Sequence, residues 1–287
     1  MNIETGFRNA MHDAGIPTDA EIVGDGKLHR VNVEGDKSGT KNAWYVLHDG
    51  VCPAGAFGCN KRGISGKWRA NQKREPLTEH DRTQIEAACK ARAIAQEQGW
   101  ADAAAIGEQI FQSAKGDASR HAYRIKKAIQ PHGVKVDERD RLVIPIYSAV
   151  NGKLQSVQRI DAYGDKQMLS GGRAKGGCFP FSDVPDFWAN AERRIGVCEG
   201  WATGASLAES LLTTAIFAAF SANNLGNVAT ALRARFTRAQ ITIFGDNDVS
   251  GVGQKYATDA ALAVSGFVSI PSIPGCDWND VLMDAAA

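Results

Sequence analysis

The chain is expected to be an α/β protein whose last hundred residues form a Rossmann-like parallel sheet with flanking helices. Three observations predict this. Short apolar runs, Ile195–Cys198, Ala215–Phe220, Ile241–Gly245 and Phe267–Ile270, alternate with helix-like segments Thr203–Leu212, Leu225–Phe236 and Gly251–Val264. Strands that alternate with helices of this length pack as a parallel sheet covered on both faces. Two runs end in acids: Glu199-Gly200 follows the first and Asp246-Asn247-Asp248 the third. A third acidic station, Gly275-Cys276-Asp277-Trp278-Asn279-Asp280, comes later.

Upstream of residue 191 the texture changes three times. Residues 1–76 read as a β-rich basic module. A short helix at 2–15 carries Phe7, Met11 and Ala14 on one face, and Leu28–Val33 and Trp44–His48 read as strands between glycine turns. Residues 77–130 read as a helical connector. Thr78 caps a first helix that runs to about Gly99, with Glu79 and Asp81 in the first turn, where the helix dipole favours acids. A second helix is expected over Ala101–Ala114 and a third over Ser119–Ile129. Residues 131–190 are β-rich: Arg141–Tyr147 and Leu154–Ile160 pair through the turn at Asn151-Gly152, and Tyr163–Leu169 adds a third strand.

Ligands of open parallel sheets gather at the carboxyl ends of the strands, where the three acidic stations, Glu199, Asp246 with Asp248, and Asp277 with Asp280, are expected to stand. Three such ends repel one another unless a cation joins them, and a hard divalent ion, Mg²⁺ or Mn²⁺, is the natural counter-charge. The competing reading is that these acids only cap helix N-termini; recurrence at three strand ends weakens it. The segment Gly171-Gly172-Arg173-Ala174-Lys175-Gly176-Gly177 unites two glycine pairs with two cations, which suits close approach to a phosphate. It lacks the Walker A spacing, and a plain tight loop would have the same composition.

Charge is unevenly placed on a chain of 287 residues with a net charge of +1. From Gly58 to Arg74 stand Lys61, Arg62, Lys67, Arg69, Lys73 and Arg74 without an acid; from Lys115 to Lys127, five cations face only Asp117. With Trp44, Tyr45, Phe57 and Trp68 nearby, the first patch has the makings of a single-strand-binding surface; a small β core using the same aromatics is the alternative. Six scattered cysteines without a CxxC pair point to a reducing compartment. His48, Cys52 and Cys59 lack a fourth ligand, so no zinc is expected. No run reaches transmembrane length and no signal peptide is expected, so the chain is expected to be cytoplasmic, with no membrane partner.

The constellation Glu199-Gly200, Asp246-x-Asp248 with Gly251, and Asp280 resembles the TOPRIM domain of primases, topoisomerases and some nucleases. Upstream, Arg141-x-x-x-Pro145-Ile146, Gln158-Arg159, Lys166 and Gly171-Gly172-Arg173 are similar to the segment that precedes TOPRIM in primases. Ser156–Asp161 followed by Gly171-Gly172-Arg173 resembles the plasmid conjugation and satellite-phage primases in particular, and Asp25–Arg30 and Gly50–Arg74 resemble their leading domain. The resemblance implies a DNA primase that makes short RNA primers on single-stranded DNA by metal-dependent nucleotidyl transfer. Glu199, Asp246 and Asp248 would be catalytic, and with Asp280 would hold Mg²⁺ or Mn²⁺. Arg141, Arg159, Lys166, Arg173 and Lys175 would bind nucleoside triphosphate or template, and Lys61, Arg62, Arg69 and Lys73 the DNA. Two departures stand out: Thr203 occupies a position that is usually aspartate in replicative primases, and no zinc ribbon or helicase motif is found, so any helicase or other replication partner would be a separate protein. A TOPRIM nuclease, or a single-strand-binding replication or defence factor without catalysis, are the alternatives.

Overall fold

The computed structural model describes residues 2–50, 52–70, 78–184 and 186–286. Lys73 and Arg74 lie outside them. The chain divides into two compact units, Met1–Ala91 and Arg92–Ala287. None of the described helices is long and apolar enough to cross a membrane.

The first unit is a four-stranded antiparallel sheet with one helix against it. Helix α1 (Ile3–Asp13) begins at Asn2, whose side chain accepts the Glu4 N–H, and it buries Phe7 and Met11 as their spacing predicts. Strands β1 (His29–Val31), β2 (Ala43–His48), β3 (Ala54–Cys59) and β4 (Ile64–Arg69) follow in sheet order 1-2-3-4. The Phe7 ring meets Tyr45, Phe57 and Trp68 edge-on at 5.5–5.8 Å between centroids. Three of the four aromatics near the basic patch are therefore core. The glycine-rich composition of β3 and β4 hides them from propensity, but the structure uses it. A Cβ on Gly55 would strike the Phe7 ring, and one on Gly66 the Phe57 ring.

Helix α2 (Glu79–Ser113) runs unbroken where two helices were expected. Gly99 costs a helix interior only about 1 kcal/mol, which its alanine-rich neighbours readily offset. The expected third helix is a 3₁₀ turn, Ala118–Arg120, capped by Asp117, followed by α3 (Ala122–Lys126).

The second unit is built on one mixed sheet. Strands β5 (Lys135–Val136), β6 (Leu142–Ser148), β7 (Leu154–Ile160), β8 (Lys166–Met168) and β9 (Gly177–Pro180) are antiparallel. After α4 (Phe187–Ala191) come β10 (Arg194–Cys198), α5 (Trp201–Ser210), β11 (Ala215–Ala218), α6 (Leu225–Arg235), β12 (Gln240–Phe244), α7 (Val252–Ala263), β13 (Phe267–Ser269) and α8 (Trp278–Ala286). Strands β10 to β13 are parallel, as expected, in spatial order 13-12-10-11. The sheet does not stop there: β9 pairs antiparallel with both β11 and β6, which joins residues 135–168 to the parallel part. Helices α6 and α7 cover one face through Val228, Leu232, Ala257 and Ala260. Trp201, Ala205 and Leu207 of α5 cover the other.

His132, at the end of the connector, is almost wholly buried between two carboxylates. Its Nδ1 lies 3.0 Å from Asp183 and its Nε2 2.9 Å from Glu209, so both nitrogens carry protons when the contacts form. Burial opposes that charge, but the hydrogen bonds to Glu209 and Asp183 prevail and the pKa rises. A raised histidine stabilises fully below its unfolded value of about 6.5 and loses that contribution as pH climbs through the folded value. Thermal melting of wild type should therefore decline above that pH more steeply than that of His132→Gln. Parallel profiles would show that the imidazole is neutral in the fold.

Candidate active site

Parallel pairing of β10 and β12, with Cys198 level with Phe244, brings Glu199 and Asp246 to the same end of the sheet. Gly200 then caps α5 in extended conformation. Gly245 is needed because a Cβ would stand 2.6 Å from that of Ala257. The turn 246–251 closes on Gly251, at φ 73°, and starts α7. Asp248 accepts the Gly253 N–H, and a Cβ at Gly253 would lie 2.7 Å from that carboxylate, so Gly253 admits the aspartate.

Asn247, between the two aspartates, ties their turn to the loop before α8. Its side-chain amide donates to Pro271 O at 2.8 Å, its backbone pairs with Gly275 and Cys276, and its Oδ1 accepts from Gln254. These bonds hold the loop that delivers Asp277. Asp277 and Asp280 cap α8 reciprocally, each backbone N–H donating to the other's carboxylate at 3.0–3.1 Å. Lys127 lies 3.3 Å from Asp280 and 3.9 Å from Asp277.

The charges are unbalanced. Burial raises the Asp246 pKa to about 7, and Glu199, Asp277 and Asp248 push in the same direction against Lys166. Burial also raises Glu199, with Asp248 adding to the rise, while the Ala222 N–H and Lys166 favour its charge. Asp246 Oδ1 is buried and has no hydrogen-bond partner. A buried acceptor left open among like charges fits a hard cation. Among the described residues no three ligating side chains close round one point. Mg²⁺ does not need them to, since it keeps much of its water and takes one or two carboxylates together with substrate phosphates. Asp277 was not singled out as a site residue. The DxxD capping pattern was the available signal, and it does not say which acid's charge reaches Asp246.

The five cations of the β-rich segment are not gathered in one place. Lys166 pairs across the sheet with Ile160, on the face that carries Leu142 and Ile144, and its Nζ lies 4.0 Å from where a Gly200 Cβ would stand. Arg159 pairs with Val143 on the opposite face. There Arg159 and Arg141 share Asp137, with a bidentate Arg141 contact at 2.7 and 2.9 Å, in a cleft of about 220 Å³ that Arg139 also lines. Arg173 stacks on Trp100 at 4.5 Å and lies 3.6 Å from Glu97. Lys175 is exposed in the glycine loop.

That loop is tied down by buried Asn224, which sequence reading passed over. Asn224 Oδ1 accepts the Gly176 N–H at 2.8 Å, and its amide donates to Gly177, Ala219 and Ala174 carbonyls at 2.8–3.2 Å. The segment around it reaches Glu199 as well, through the Phe220 N–H on the Glu199 carbonyl at 2.7 Å. Thr203 is buried in α5, its hydroxyl turned toward Gly200. A cavity of about 330 Å³ lined by Tyr147, Phe179, Trp188, Phe217 and Arg235 includes none of these acids.

Comparison with known proteins gives three findings. Residues 194–287 match the Toprim domain family. Two curated proteins of Escherichia coli, both called DNA primase TraC, are 38% identical over 259 residues and 34% identical over 281. The matches cover 86% and 92% of this chain but only 24% and 19% of those proteins, so the chain spans about a quarter of their length or less. The primase fragment of the bacteriophage T7 primase-helicase protein is 20% identical, with a TM-score of 0.46 over 61% of this chain and 72% of that one, a likeness too distant to bear on activity.

Proposed function

Given that residues 194–287 are a Toprim domain in a chain related to proteins called DNA primase, we propose that this chain synthesises RNA primers on single-stranded DNA. The observation that carries the reading is the under-neutralised acid cluster Glu199, Asp246, Asp248 and Asp277, with Lys166 as its facing cation. In this reading Asp246 and Asp248 hold Mg²⁺ or Mn²⁺, which supplies electrophilic stabilisation of the α-phosphate and of the departing pyrophosphate. Asp280, engaged by Lys127 and the α8 cap, supports the site from behind while Asp277 faces it.

The chemistry is a displacement at phosphorus. A ribose 3′-hydroxyl oxygen bonds to the α-phosphorus of the incoming nucleotide, the bridge to the β-phosphate breaks, and pyrophosphate departs with the electron pair. Glu199, made more basic by burial, accepts the hydroxyl proton. Lys166 holds a triphosphate oxygen, and the loop carrying Lys175, fixed by Asn224, offers a second cation. A hydrolytic Toprim site would use the same acids but needs no cation for a triphosphate.

Incubating a single-stranded template with labelled ribonucleotides and Mg²⁺ or Mn²⁺ tests the reading. Short ribonucleotide oligomers are expected. A shortened template with no oligomers would identify a nuclease, and neither product would leave a binding protein.

A further inference from the structure

The four-stranded sheet of the first unit has two unlike faces. Helix α1 covers the one carrying Tyr45, Leu47 and Phe57. Cross-strand pairing puts Arg30 beside Trp44, Trp44 beside Gly58 and Gly58 beside Ser65 on the other. The same register continues that face through Val46, Ala56 and Lys67, and then through His48, Ala54 and Arg69. Arg30, Lys67 and Arg69 are exposed there; no acid occupies the paired positions of β1 to β4, and Asp25, which bridges to His48 at one end of the face, has its carboxylate 2.8 Å from His29. A Cβ on Gly58 would stand 2.9 Å from two ring atoms of Trp44, so the indole lies down against the strand. The ring is thus held over Gly58, and the residue is partly exposed.

Two of the cations expected to bind DNA are used differently. Lys61 pairs with Asp36 at 2.9 Å, and Arg62 donates to the Gly15 and Glu34 carbonyls, bracing the unit's own loops. Arg69 alone of the described ones stands on the outward face.

We infer that this outward face binds single-stranded DNA, with Trp44 as the stacking platform for a base and Arg30, Lys67 and Arg69 tracking the backbone phosphates. The chemistry matches the partner on both counts. A partly exposed aromatic ring on a sheet surface suits stacking with an unstacked base, and three exposed cations with no acid between them complement a polyanion. Small residues at Ala54, Ala56 and Gly58 keep side chains from shielding the indole. The inference deepens the primase reading by naming where the template strand is held, but its test needs no nucleotide.

The full chain is titrated with a fluorescently labelled oligothymidylate and with a duplex of the same length, at several salt concentrations. Trp44→Ala should weaken single-strand binding roughly tenfold or more at constant salt, with Trp44→Phe intermediate. Lys67→Ala with Arg69→Ala should lower the slope of log affinity against log salt by about 1.4, two phosphate contacts' worth. Trp44→Phe preserves the packing on Gly58, so its ranking reads stacking even if Trp44→Ala proves unstable. Unchanged affinity in both Trp44 variants, or equal wild-type affinity for duplex and single strand, overturns the inference. Trp44-dependent binding by a protein that makes no primers would instead remove the primase reading and leave this one standing.

Discussion

Asp246→Asn is expected to lower primer synthesis on the order of a thousandfold or more, because several kcal/mol of transition-state stabilisation depend on that carboxylate's charge. The same substitution is expected to stabilise the metal-free protein. Asp246 has its pKa raised to about 7 from 3.8, so the folded chain holds the proton more tightly than the unfolded one. Stability is therefore lost as pH rises between those two values, and the loss is complete above pH 7. Asparagine carries no charge into the cluster with Glu199, Asp248 and Asp277. In chelator at alkaline pH the variant should gain roughly 1–2 kcal/mol once solvent screening is allowed for. At low pH, where wild type is already neutral there, the gain should vanish. Thermal melting of both proteins across pH, with and without Mg²⁺, is the measurement. A variant that melts below wild type in chelator at every pH would mean that Asp246 stabilises the fold and is not held there for a cation.

Lys166→Ala carries the second large effect. Its ammonium stands against Gly200, beside the acids, on the face where a metal-bound triphosphate would sit. Losing one charge-assisted contact of about 1.5–3 kcal/mol should raise the nucleotide concentration required for synthesis roughly tenfold to a hundredfold. Oligothymidylate binding should hardly change. Arg159→Ala should behave differently, because Arg159 lies across the sheet with Asp137 and Arg141. Its loss unsettles that cluster, so the nucleotide requirement should move less than in Lys166→Ala. Nucleotide titration of both variants, in parallel with strand binding, decides. Equal shifts would put both side chains on the triphosphate and defeat the division by sheet face.

These two substitutions also mark how far the chain could be read in advance. The strands ending at Glu199 and Asp246 were legible because buried parallel strands are short apolar runs and their ends are punctuated by acid and glycine. The α/β class follows from that signal; the resemblance to Toprim, matched over residues 194–287, rested on the acid and glycine motifs at those ends, and the likeness to primases on the upstream segment from Arg141 to Arg173. Strands β3 and β9 were not legible, since glycine, alanine and cysteine at those positions serve close packing on Phe7 and Ile146 and carry little strand propensity. The break expected at Gly99 failed for a related reason: one glycine is a small cost within a long alanine-rich helix.

Local sequence determined which residue types stand at the strand ends and that their charges need a partner. Only the tertiary structure decided which of them meet. The register of β8 on β7 sets Lys166 beside Ile160 and so on the other face from Arg159, and which face looks toward the acids depends on β9 bridging two stretches of sheet. Asp277 reaches Asp246 because Asn247 grips a loop some thirty residues further on, and Trp44 lies along the sheet because Gly58 comes opposite it across β2 and β3. Such pairings are set by long-range register and packing, which act between segments that the sequence lists far apart.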